Sequence, residues 1–83
     1  FGKAAHFHAR QEAERIVRQY AAGQVRVRHH GLIARIEAEV SQFAKLADPE
    51  VAADISQKLK TLGFSFVTLD LTGYRMGSLN ETL

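Results

Sequence analysis

Arg26, Arg28 and Arg35 fall within ten residues of one another, and Glu37 follows two residues after the last. A guanidinium is a planar fork of donors that grips phosphate or carboxylate oxygens two at a time. Three of them turned to one side repel unless an anion or a carboxylate lies among them. Two arrangements answer that repulsion. One is a phosphate-binding surface. The other is a solvated face knitted by ion pairs, here Arg35–Glu37 and Arg26–Asp70.

Other chemical groups are sparser. Glu14 and Glu37 can share a hard divalent cation through oxygen ligands, although salt bridging is the commoner fate of such carboxylates. His6 and His8 are two apart, and His29 and His30 are adjacent. Neither pair has the i, i+4 spacing that puts two imidazoles on one metal from one helix face. Gly73 and Gly77 frame the stretch "GYRMGSLN". Backbone amides in such a turn can cradle an anion, while Ser78 and Glu81 equally read as a capping pair in a tight turn. The chain has no cysteine, and it shows neither a phosphate-cradling glycine loop nor a catalytic triad order. By itself this segment is not expected to run a reaction.

The positioning elements follow from periodicity. Residues 3–21 place Ala9, Ala13, Ile16, Val17 and Tyr20 three and four apart, an amphipathic helix. Glu14 stands four residues before Arg18 on another face, the favourable order for a helical ion pair, and Gly23 suits a left-handed stop. Residues 24–38 alternate as two strands about His30-Gly31. A two-residue loop there sets Arg26 opposite Arg35 and Val25 opposite Ile36. It gathers Val25, Val27, Ala34 and Ile36 on one face and Arg26, Arg28, Arg35 and Glu37 on the other. A slip of one residue would mix the two sets.

Residues 41–62 read as helix in two pieces, with Ser41 as a first cap and Asp48-Pro49-Glu50 as a fresh start. Residues 64–71, "FSFVTLDL", read as a third strand with Val67, Leu69 and Leu71 on the core side and Phe66, Thr68 and Asp70 opposite. The expected fold is α+β: an α-β-β-α-β two-layer domain with a small, mostly antiparallel three-stranded sheet. Both helices cover the aliphatic face, and the arginine face is left open.

Composition sets limits around this plan. With 83 residues there is room for one domain, residues 1–83, and without disulfides its stability rests on a small core or on a larger partner. A first residue that is Phe1 rather than methionine suggests a piece of a longer protein. Apolar runs are too short to span a membrane and no signal sequence is visible, which suggests a cytoplasmic setting. The formal net charge is only +2. That mild excess, with little lysine on the arginine face and only Phe66 for stacking, argues against nucleic acid. A small basic nucleic-acid module and a purely assembly-mediating domain are the competing readings.

Two strings go further. "RVRHHGLIARIE" (residues 26–37) and "LGFSFVTLDLTGYRMGSLNETL" (residues 62–83), with Ala13-Glu14 before them, resemble the C-terminal part of the LarE family. These are ATP-dependent sacrificial sulfur transferases of the PP-loop ATP pyrophosphatase superfamily. The resemblance covers most of the chain from about residue 13 onward. It implies an N-terminal PP-loop domain, outside this chain, that binds ATP and Mg2+ and adenylates the carboxylate of a nicotinic-acid-derived dinucleotide precursor. Sulfur is then transferred to that substrate on the way to a nickel-pincer cofactor. By position, Arg26 and Arg28 correspond to phosphate-contacting arginines, with Arg35 beside them. Glu14 and Glu37 correspond to acidic residues able to hold a metal ion. The resemblance also implies a homo-oligomer. The family's best-known branch sacrifices a cysteine upstream of the matching region, and this chain carries none.

Overall fold

The structure, a computed structural model, describes the backbone of residues 3–75 and the side chains of residues 8–75. His6, Gly77, Ser78 and Glu81 lie outside the described side chains.

Helix α1 runs Lys3–Arg18. Its inner stripe, Ala13, Ile16 and Val17, is buried. It ends three residues before the periodicity suggested. Gln19 and Tyr20 donate their backbone N–H groups to Ile16 and Val17, three residues back, which tightens the last turn. The chain then buries Ala21 and bends at Gly23, whose φ of +79° sends it into the sheet.

Strands β1 (Val25–His30) and β2 (Ile33–Ala38) form the antiparallel hairpin. The loop is Gly31-Leu32, so Arg26 faces Glu37 and Arg28 faces Arg35. This is two residues from the register expected for a His30-Gly31 loop. The reason lies in the turn. Gly31 has φ +60° and, among the described residues, only glycines have a positive φ, so glycine takes the first turn position. A type II′ turn asks for that. A His30-Gly31 loop of type I′ would also have forced His30 into the left-handed region. Because the slip is two residues and the side-chain period is two, each face keeps its membership.

A 3-10 turn (Val40–Gln42), a short helix α2 (Phe43–Ala47) and helix α3 (Pro49–Thr61) lead to strand β3 (Phe66–Leu69). Asp48 caps α3 by accepting from the N–H groups of Glu50 and Val51 at 3.2 and 3.3 Å, with Pro49 at the first helical position. Ser41 falls inside the 3-10 turn, and neither that turn nor α2 has a side-chain cap. The sheet order is β1-β2-β3, with β2 and β3 parallel. A helical crossover returns the chain to the starting end of β2, where only a parallel neighbour can be laid down. The sheet of this α+β domain is therefore mixed, one antiparallel and one parallel ladder.

The core lies between helices and sheet. Val17 of α1, Val27 of β1, Ala34 of β2 and Leu59 of α3 are all 0% exposed. Val67 and Leu69 pack at its margin, whereas Leu71 lies beyond the end of β3 and is 81% exposed. Among the described residues no helix is long and apolar enough to cross a membrane.

Candidate functional site

The sheet face turned away from the helices carries Arg26, Arg28, Arg35, Glu37, Thr68 and Asp70. The hairpin places Arg28 directly opposite Arg35, a like-charge pair that is unfavourable by itself. Glu37 resolves it. One of its oxygens, Oε2, accepts from Arg28 Nε at 3.1 Å and from Arg35 Nη2 at 3.0 Å. Glu37 is 1% exposed, the only buried charged residue among those described. Two guanidinium groups on one carboxylate oxygen are charge-assisted bonds in a setting where water competes little.

The network continues to β3. Arg35 Nε lies 3.7 Å from Asp70 Oδ2. The expected Arg35–Glu37 pair is thus formed, while Asp70 engages Arg35 rather than Arg26. Asp70 also accepts from the backbone N–H of Thr72 at 2.9 Å. That backbone bond is the largest influence and outweighs burial, which pushes the other way; the Thr72 side chain and the charges of Arg35 and Arg75 add to it, and the carboxyl is held below the ordinary 3.8. The turn after β3 therefore keeps the ion-pair chain in register.

Glu14 does something the sequence did not announce. Projecting from α1, its Oε2 accepts from the backbone N–H of Val27 at 3.0 Å. Arg18 donates to the Val25 carbonyl at 3.2 Å and sits 3.8 Å from Glu14. Between them the two side chains satisfy outward backbone groups of β1. Arg26 Nε lies 4.0 Å from Glu14, at the limit of an ion pair, and its side chain is 42% exposed. Arg28 and Arg35 are less open, at 17% and 28%. Of the three arginines, Arg26 is the most accessible to a ligand.

The metal expectation meets a mixed setting. Glu37 Oε1 is buried with no hydrogen-bond partner, an oxygen available to a cation. Yet no group of three His, Asp or Glu side chains suited to a metal gathers among the described residues. Glu14 and Glu37 are each flanked by guanidinium groups, which disfavour a cation. A divalent ion that takes six or more oxygens is not accommodated by these two carboxylates alone.

A second polar cluster ties the helices together. Tyr20 donates its hydroxyl to Asp54 of α3, and Lys58 sits 2.9 Å from the same carboxylate. The Tyr20 bond and then Lys58 lower the Asp54 pKa from 3.8, and the Asp54 bond raises Tyr20 from 10.0. The linkage signs follow. The depressed carboxyls of Asp54 and Asp70 add stability that is full above about pH 3.8 and is lost as pH falls through their folded values. Tyr20 adds stability that is full below pH 10.0 and is lost as pH rises past its folded value. Thermal melting as a function of pH is expected to show a shallower acid slope in Asp54→Asn and in Asp70→Asn than in the parent. Parallel acid limbs in all three proteins would contradict this.

Comparison with known proteins gives the context of this face. No family model matches the chain. It is 44% identical over 74 residues to a pyridinium-3,5-bisthiocarboxylic acid mononucleotide synthase of Lactiplantibacillus plantarum, across 86% of this chain and 25% of that protein. It is 38% identical over 71 residues to an uncharacterized protein of Synechocystis sp., across 86% of this chain and 26% of that protein. The chain spans about a quarter of the length of the curated relatives it matches. The sequence carrying the arginine hairpin and its buried glutamate is that of a LarE-like domain.

Proposed function

We propose that this chain is the C-terminal substrate-binding and oligomerising domain of an ATP-dependent sulfur transferase, which thiolates a carboxylated pyridinium nucleotide in nickel-pincer cofactor synthesis. The observation that carries the reading is the Glu37-anchored arginine pair, with Arg26 half-exposed in the adjoining row of the same open face. Arg26 and Arg28 hold the substrate phosphate. Arg35 braces Glu37 and Asp70, and so orients Arg28 more than it meets the ligand. ATP and Mg2+ belong to the remainder of the parent protein, a PP-loop domain, and the reaction itself proceeds there. A pre-set guanidinium loses less freedom on binding than a mobile one, which is how Glu37 contributes to affinity.

A divalent cation at Glu14 and Glu37 is the secondary reading, favoured only by the unpartnered Oε1 of Glu37. It requires further ligands from outside this chain.

In the full-length parent, Arg26→Ala and Arg28→Ala are each expected to weaken binding of the pyridinium mononucleotide at least about tenfold, the effect of losing one charge-assisted hydrogen bond. Titration calorimetry measures this directly, with circular dichroism to show that the fold is kept. Affinity unchanged in both variants would overturn the phosphate assignment.

A further inference from the structure

The open face of the sheet is laid out in rows. Nearest the hairpin loop, the register sets His30 beside Ile33 and Ile33 beside Phe66. The next row is Arg28, Arg35 and Thr68, and the one after it pairs Arg26 with Glu37. Rows two residues apart along a strand are separated by about 6.4–6.8 Å. The loop-end row has a different chemistry from the arginine rows. Phe66 is 63% exposed and Ile33 39%, two large apolar side chains on a face otherwise given to charge. His30, at the other end of the row, is exposed as well. Thr68 donates its hydroxyl to the Ala34 carbonyl at 3.1 Å, so its donor is spent within the sheet and a short side chain lies between Phe66 and the ion-pair network.

We propose that this row is the subsite for the pyridinium ring of the nucleotide whose phosphate Arg26 and Arg28 hold, with Ile33 as its floor and His30 and Phe66 as its walls. The spacing across the sheet suits a single flat ring. His30 and Phe66 stand on β1 and β3, two strand spacings apart, so their roots are about 9.4–9.8 Å from one another. A ring in van der Waals contact with a plane on each side needs about 7–8 Å, twice the ordinary carbon–carbon separation. The spacing along the sheet suits a nucleotide. A ribose holds a ring nitrogen and its phosphate apart by a span comparable to one row, so a phosphate on Arg28 brings its ring over Ile33. Charge is complementary too. A pyridinium is a cation, and the face of a phenyl ring attracts one. The bound phosphate and Glu37 offset the neighbouring guanidinium groups. One slot with one phenyl wall fits a single nucleotide, whereas a strand of bases needs a succession of aromatic platforms. The subsite rests on the phosphate reading of Arg26 and Arg28, and Phe66 is its specificity-determining residue.

Two ligands separate the ring from the phosphate. In the full-length parent, Phe66→Leu is expected to weaken calorimetric affinity for a carboxylated pyridinium mononucleotide about two- to fivefold, the effect of losing one exposed cation–π contact. Its affinity for ribose 5-phosphate, which has no ring, is expected to be unchanged, whereas Arg28→Ala lowers both. The chain has no tryptophan, so Phe66→Trp introduces a single reporter into the 83-residue chain. Titration with the mononucleotide is expected to quench its fluorescence to saturation, because an indole stacked on a pyridinium loses its excitation by charge transfer. Ribose 5-phosphate is expected to compete that quenching away. Mononucleotide affinity unchanged in Phe66→Leu but lowered in Arg28→Ala would overturn the ring subsite and leave the phosphate assignment standing. Equal losses of the two ligands in Phe66→Leu would also overturn it, since the defect would then lie in the phosphate clamp. Calorimetric binding to Phe66→Trp without saturable quenching would do the same. Unchanged affinity for both ligands in Arg28→Ala would remove the phosphate contact of Arg28 and the subsite measured from it.

Discussion

Replacing Glu37 by alanine is expected to destabilise the domain by about 2–4 kcal/mol, although the residue lies on the sheet face turned away from the helices. The substitution leaves Arg28 and Arg35 directly opposed with no carboxylate between them. Removing one partner of a buried ion pair typically costs about 3–5 kcal/mol, because the remaining charge is left uncompensated. Here the arginine side chains are 17% and 28% exposed, and water recovers part of that loss. Glu37→Gln keeps the shape and one acceptor but removes the charge, so about half the effect is expected. Urea denaturation followed by circular dichroism measures both. In the double variant Glu37→Gln/Arg35→Met, which also removes the repulsion, stability is expected to rise above that of Glu37→Gln alone. A loss below about 0.5 kcal/mol in Glu37→Ala would show that solvent, not Glu37, neutralises the arginines.

The second large effect is in the core. Leu59→Ala is expected to cost about 3–5 kcal/mol, since Leu59 is 0% exposed on the face of α3 that packs on the sheet and α1. For comparison, 83 residues at roughly 0.05–0.15 kcal/mol each give a total stability of about 4–12 kcal/mol. One truncation therefore brings the isolated chain close to unfolding near room temperature. A shortened or lost urea baseline is the expected observation. Leu59→Met, which nearly conserves volume, is expected to lose less than about 1.5 kcal/mol. Equal losses in the two variants would mean that the site does not relax as a packed core does.

Both predictions bear on the same small body. The helix layer packs on the hairpin, and the hairpin sets the spacing of the arginines. The LarE-like sequence thus places its ion-pair network on a sheet whose other face is the domain's only substantial core among the described residues. A core defect and a network defect are expected to be separable by ligand affinity measured on protein that remains folded. Leu59→Met should leave affinity unchanged, while Arg26→Ala should lower it without altering the melt.

Much of this was legible from residue types. Alternation along 25–38 determined which side chains share a face, because the period of two survives any even slip of register. Asp48-Pro49-Glu50 determined the start of α3, because N-capping is a local matter of one carboxylate and two N–H groups. The tertiary structure alone decided the rest. It fixed the hairpin at Gly31-Leu32, and so placed Arg28 rather than Arg26 against Arg35. It joined Asp70 to Arg35, because β3 runs parallel to β2 and brings its end past Glu37. It spent Glu14 on the edge of β1, a role set by how α1 lies on the sheet. Local sequence specifies faces and caps, since those depend on neighbours a few residues away. Partners across strands and between layers depend on register and crossover, which only the packed chain determines.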